Sequence, residues 1–140
     1  MTERLNLRLL DLLATMADDL VEELDAQACA ISRVIGDVLI LVAEHVHDGS
    51  TLQQGQGYLV TDYPQTAHVL QTGMPRTLTL DDPDIDAGEA SIMRELGFAS
   101  LAMIRLELSG ETWGLVEIYR TEPRPFTAQD IVRALELTRV

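Results

Sequence analysis

The chain has 140 residues, enough for one domain with one core. Its apolar fraction of 46% excludes wholesale disorder, and it lacks the run of about eighteen apolar residues that would cross a membrane. Net charge is −13, with no lysine and only scattered arginines, which argues against nucleic acid or anionic lipid as a direct partner.

From Thr2 to about Ala26 the pattern predicts a helix, free of Gly and Pro and rich in Leu, Ala, Glu and Asp. No uninterrupted apolar stretch of a signal peptide follows Met1. Two apolar stripes run along this helix. One is Leu5, Leu9, Leu12 and Met16; the other is Leu10, Leu13, Ala17, Leu20 and Leu24. A surface helix needs one stripe, so two suggest two contacts: its own sheet, and a second helix from another chain. A single wide stripe against a large core is the plainer alternative.

Gln27 to Val34 and Asp37 to Val46 are strand-like, with Ile35-Gly36-Asp37 turning between them. Cys29 lies in the first of these. As the lone cysteine it forms no internal disulfide, which fits a reducing cytoplasm. Val38 to Val42 are apolar on both parities, and Glu44, His45 and His47 polarise the far end. A polar loop then reaches about Gly57. Asp62 and Gln65 have capping-box spacing, with Pro64 in the first turn of a helix running to about Gln71 and stopping at Gly73. Arg76 to Leu80 reads as a short strand. After an acidic loop, Asp86 and Glu89 form a second capping box, opening a helix to about Leu96 that ends at Gly97.

From Gly97 to Arg120 the sequence reads as a hairpin, with Ser109-Gly110-Glu111 as its loop and Gly110 supplying positive φ. Both strands are apolar on both parities, so the sheet containing them must be covered on both faces. Pro123 and Pro125 break the chain. Thr127 caps a last helix, with Asp130 at the third position and Ile131, Val132, Leu135 and Leu137 along it. The helical pattern is unfinished at Val140, which suggests that it leads onward. The irregular mixture of helices and hairpins predicts an α+β fold with a central antiparallel sheet of five or six strands.

The order and spacing of these segments resemble the GAF domain, a PAS-like cytoplasmic sensory module. The residues that carry the resemblance are Asp62-Tyr63-Pro64, Thr72-Gly73-Met74-Pro75, the acidic turn from Asp81 to Glu89, Leu96-Gly97-Phe98-Ala99-Ser100-Leu101, Trp113 to Tyr119, and Phe126 to Asp130. They span about Leu5 to Leu137. The resemblance implies a single domain over residues 1–140. Its terminal helices would pack on one sheet face, and short helices and loops would cover a small-molecule pocket on the other. It further implies a homodimer formed through helices 1–26 and 127–140, and an output domain downstream in the same polypeptide.

The residues match the chemistry of particular members only in part. The cyclic-nucleotide signature is met only by the spacing of Phe126 and Asp130; Ile131 stands where it has Glu, and its Asn-Lys pair is absent. Covalent bilin attachment uses a Cys beside a His, whereas Cys29 lies between two alanines. The sulfoxide reductases of this fold cycle several cysteines, and this chain has one. His45 and His47 share a strand face but lack evident third and fourth metal ligands, so they read as solvated. His68 reads as a surface or pocket-rim residue rather than a haem ligand. Asp82, Asp84 and Asp86 imitate the start of a calcium loop, but Ala87 and Met93 replace its Gly and Glu.

Glu117 is anomalous: a charge in the middle of an apolar strand. It either pairs with Arg105 across the hairpin or orients a ligand. The sequence thus predicts a non-enzymatic sensory domain whose cofactor is unknown. The candidate pocket residues are Tyr58, Tyr63, His68, Met93, Met103 and Glu117. A ligand-free dimerisation module and, more remotely, a reductase are the alternatives.

Overall fold

A computed structural model describes residues 2–52 and 54–139, with side chains from residue 8 onward. Among these residues the chain forms α1 (Thr2–Glu23), β1 (Ala28–Ile35), β2 (Val38–Val46), β3 (Gly57–Leu59), a 3-10 turn (Val60–Asp62), α2 (Pro64–Thr72), β4 (Arg76–Thr79), α3 (Ala87–Leu96), β5 (Ser100–Leu108), β6 (Glu111–Arg120) and α4 (Ala128–Leu137). The six strands make one antiparallel sheet in the order β3-β2-β1-β6-β5-β4. The predicted α+β architecture is the one observed. The sixth strand, β3, lies at the edge of a stretch whose sequence reads only as polar loop.

Strand alternation sorts the side chains into two clusters. Cys29, Ile31, Ala102, Ile104, Leu106, Val116 and Ile118 face α1 and α4, where Leu13, Ala17, Leu20, Leu24, Phe126 and Ala134 close the layer. Ala28, Ala30, Leu39, Leu41, Leu101, Met103, Leu115 and Tyr119 face the other way, beneath Val69 of α2 and Met93 of α3. Both faces are covered, as the doubly apolar strands require. Two bulges adjust this sorting, at Ile31/Ser32 against β2 and at Leu106/Glu107 against β6. The second leaves Trp113 unpaired and lets it pack toward the α1/α4 cluster, with Arg33 over its ring.

The β5–β6 turn has two residues, Ser109 and Gly110, with φ of 54° and 79°; Glu111 already belongs to β6. Positive φ at both central positions matches the right-handed twist of the strands. The three-residue loop expected from sequence is thereby shortened by one. Gly114 has a different reason to be glycine, because a Cβ there would collide with the Ser32 carbonyl on β1.

On α1 the stripe of Leu13, Ala17, Leu20 and Leu24 is buried, while Leu10 joins the exposed side. The other stripe is divided: Met16 is buried, Leu9 is half-buried, Leu12 is 45% exposed, and the Leu5 side chain lies outside the described residues. The Asp62 cap does not form. Asp62 closes the 3-10 turn, and Tyr63 takes the N-cap position of α2 without a side-chain bond. Thr127 and Asp130 form the expected reciprocal capping box on α4.

Arg120, at the end of β6, ties the two terminal helices to the sheet. It is 2% exposed and donates to the carbonyls of Leu24 (2.6 Å), Asp25 (3.2 Å), Arg124 (3.3 Å) and Pro125 (3.2 Å). Its guanidinium lies 3.9 Å over the Phe126 ring and 3.5 Å from the Asp130 carboxylate. The orphan carbonyls at the end of α1 and those leading into α4 thus share one cation.

Candidate functional site

Small residues on one strand create the site. Ala30 and Ser32 of β1 turn toward α2 and α3, and Ala30 stands opposite Glu117 on β6. Larger side chains here would meet the lid; these leave a cavity of about 50 Å³. Leu39 and Leu41 of β2 wall one side, Tyr58 of β3 and Tyr63 stand at the half-buried rim, and Glu89, Ile92 and Leu96 descend from α3.

The lid is held by an exchange between the two helix starts. Asp86 caps α3 through the Glu89 amide (2.7 Å) and also accepts from the Gln65 amide of α2 (3.3 Å). Gln65 answers with its side chain, accepting from the Asp86 amide (3.1 Å) and donating to the Asp84 carbonyl (2.9 Å). Asp86 therefore caps α3 as its sequence predicts. The reciprocal half of that box, expected from Glu89, is made by Gln65. Glu89 is released to turn inward, where it is 3% exposed and hydrogen-bonds the Thr66 hydroxyl at 3.3 Å. Gly88 makes the close approach feasible, since a Cβ there would stand 2.9 Å from the Asp62 carbonyl.

Glu117 accepts from the Tyr119 hydroxyl at 2.8 Å. The predicted pairing with Arg105 does not occur. Arg105 pairs with Glu107 and donates to the Leu70 carbonyl at 3.2 Å, because Leu115 rather than Glu117 is its direct neighbour across the hairpin. Among the described residues no cation lies within ion-pair distance of Glu117 or Glu89. Burial pushes Glu117 up to about 7, opposed by the Tyr119 hydrogen bond. Burial, then the charges of Glu117 and Asp86, push Glu89 up to about 8. The pair holds a proton at neutral pH that two exposed carboxylates would not. Burial and the same carboxylates raise Tyr58, Tyr63 and Tyr119, so all three phenols stay protonated.

Of the residues singled out from sequence, Tyr58, Tyr63 and Glu117 line the cavity together. Met93 and Met103 are fully buried in the apolar cluster between the sheet and α2 and α3 and do not line the cavity, with the Thr66 hydroxyl 3.4 Å from Met103 Sδ. His68 is exposed on α2 and does not line the cavity. Glu89, Thr66 and Tyr119 were not anticipated. A signal for Glu89 exists: it falls on the same face of α3 as Met93 and Leu96, at helical spacing.

Other candidate chemistries are not assembled. Among the described residues no three His, Cys, Asp or Glu side chains are placed to hold a metal. His45 hydrogen-bonds Asp18 on α1 at 2.6 Å, and His47 is exposed. The Cys29 thiol is fully buried, and burial pushes it far up, away from any reactive thiolate. Among the described residues no helix is long and apolar enough to cross a membrane.

Comparison with solved structures finds this fold repeatedly. The blue-light-absorbing form of the PixJ GAF domain of Thermosynechococcus elongatus matches with a TM-score of 0.79 at 16% identity, over 92% of this chain and 79% of that one. The GAF domain of a two-component sensor histidine kinase from Bacillus halodurans matches with a TM-score of 0.74 at 18% identity, over 91% and 86%. The chromophore-binding domain of a Stigmatella aurantiaca bacteriophytochrome matches with a TM-score of 0.71 at 15% identity, over 89% of this chain but only 49% of that one. No curated protein sequence matches the chain. The family model for the GAF domain matches residues 8–139, nearly its whole length, and by that match the chain belongs to the GAF family.

Proposed function

We propose that this chain is a non-enzymatic, ligand-responsive GAF domain that acts as a homodimer and passes its state through α1 and α4 to an output domain in the same polypeptide. The observation that carries this reading is the division of β6. Glu117 and Tyr119 turn into the cavity, while Val116 and Ile118, one residue away, pack against the terminal helices. A ligand that shifts the cavity side of this strand acts on the helix side through the same backbone. Ligand contacts favouring one helix packing would shift the population toward it.

Several features support the dimer and its relay. α1 and α4 are neighbours joined by the Glu23–Arg133 ion pair at 3.3 Å, and they leave Leu10, Leu12, Val132 and Leu135 exposed. The family relatives with solved structures include sensors, one of them the GAF domain of a sensor kinase. The cavity is much smaller than a site for a bilin such as the phycocyanobilin held by a cyanobacterial relative. A small ligand fits this chain better. That neither nucleic acid nor a membrane is a partner, and that the location is cytoplasmic, belong to the same reading and are supported by the net charge of −13 and the lone cysteine.

Native mass spectrometry of the freshly purified chain tests it. The expected result is a dimer that loses a small non-protein mass on denaturation. Leu12→Glu with Leu135→Glu should convert it to monomer. A bare monomer in the wild type would overturn the reading. The packed-shut dimerisation module is favoured by the small cavity, and predicts a dimer without a releasable mass.

A further inference from the structure

We propose that the cavity receives a small organic cation, an amidinium or ammonium group on a body of about four to six heavy atoms. The proposal rests on reading this cavity as the ligand site and names the chemistry of its occupant. The two carboxylates that line it come from different layers, Glu89 from the lid and Glu117 from the sheet. Among the described residues each accepts from one hydroxyl, and neither has a cation within ion-pair distance. The chain has no lysine to supply one, and Arg105 on the same sheet face is engaged by Glu107 and Leu70. Glu89 is 3% exposed, so bulk solvent does not screen it.

The aromatic groups fit the same occupant. Tyr58 and Tyr63 meet edge to face at 6.3 Å between ring centres, and Tyr119 lines the sheet side. A cation inside would gain from ring faces as well as from carboxylates. A planar amidinium can also bridge carboxylate oxygens with parallel N–H donors. An anion finds no positive side chain in the lining, and a neutral molecule cannot stabilise the ionised carboxylates, whereas a cation does so as it displaces the proton the pair holds. The size follows from the volume. About 50 Å³ is room for about four waters, or some 120 Å³ of liquid, which limits the ligand to a handful of heavy atoms.

Acetamidinium, acetamide and acetate have one shape and heavy-atom count and differ in charge. Each is titrated into the 15N-labelled intact chain at constant ionic strength, and binding is read from backbone amide shifts. Acetamidinium is expected to move the amides of Tyr58, Thr66, Glu89 and Glu117 saturably, and the other two to leave them in place. Glu89→Gln with Glu117→Gln, checked for folding by the same spectrum, should weaken the acetamidinium response at least tenfold. Acetamide or acetate binding in the cavity as tightly as acetamidinium would overturn the cationic ligand and leave the cavity reading intact. Acetamidinium binding unchanged in the double variant, or shifting only acidic surface amides, would overturn it as well. If none of the three moves a cavity amide, the cavity reading falls with it. The charge series uses the wild-type chain, so the test survives a variant that fails to fold.

Discussion

Arg120 and Glu117 stand three residues apart on β6 and point to opposite faces of the sheet. The arginine is wrapped: four carbonyls and the Phe126 ring surround it, with the Asp130 carboxylate nearby. The glutamate has one hydroxyl and a cavity. One strand thus carries a buried cation that the protein solvates itself and a half-buried acid with no cation near it among the described residues. The first is what a structural charge looks like, and the second is the arrangement on which the proposed ligand site rests.

Removing each charge should separate the two cases. Arg120→Met leaves the carbonyls of Leu24, Asp25, Arg124 and Pro125 without their donor, and frees the ends of α1 and α4. The expected loss is roughly 3–5 kcal/mol of unfolding free energy, measured by urea denaturation. A loss under about 1 kcal/mol would show that water or relaxation replaces the guanidinium, and the contrast on β6 would disappear.

The glutamates should respond with the opposite sign. A carboxyl with a raised folded pKa keeps its proton longer in the folded chain than in the unfolded one. From the ordinary carboxylate range up to about 8, the folded chain therefore binds more protons, and its stability falls as pH rises. The contribution is fully present below that window. In Glu89→Gln with Glu117→Gln the decline should flatten. Relative to the double variant, the wild type should lose stability between about pH 5 and pH 8.5, by up to about 1.4 kcal/mol per pH unit for each carboxyl that is protonated only in the folded chain. Self-repulsion of the acidic chain is common to both proteins and largely cancels in the difference. Parallel pH profiles would mean that the carboxylates are solvated after all.

The same contrast explains what the sequence could reveal. Apolar residues on both parities of β5 and β6 demand two covered faces, and both faces are covered, because burial depends on patterns that every residue in a strand shares. The Thr127–Asp130 cap was legible for a similar reason: its partners lie three residues apart. The lid was harder. Asp62–Gln65 and Asp86–Glu89 have the same spacing, yet the first box is absent and the second is half replaced, because Gln65 reaches across 21 residues to Asp86. A local rule cannot register a competitor that distant. The glutamate freed by that exchange is the second carboxylate of the cavity. Glu117 is conspicuous as a charge among apolar residues, but of the two readings its sequence allows, the pair with Arg105 does not form. Strand register, which decides that Arg105 faces Leu115, is a tertiary fact.

The smallest expected effects compare the two faces directly with one substitution. Ala102 on β5 lies in the dry cluster under α1 and α4 and is fully buried. Ala30 on β1 faces the cavity. Valine suits a strand at either position, so intrinsic propensity is matched and only the space around the new methyl groups differs. Ala102→Val should cost roughly 1–3 kcal/mol, because a close-packed layer must shift to admit it. Ala30→Val has about 50 Å³ beside it and should change stability by less than about 1 kcal/mol, in either direction. It should nevertheless abolish the acetamidinium response, since the added methyls occupy the floor opposite Glu117. Equal losses from the two substitutions would mean that the space at Ala30 is not void, and the asymmetry between the faces would then lie in charge alone. A neutral Ala30→Val that still binds acetamidinium would move the binding volume away from β1, toward the rim formed by Tyr58 and Tyr63.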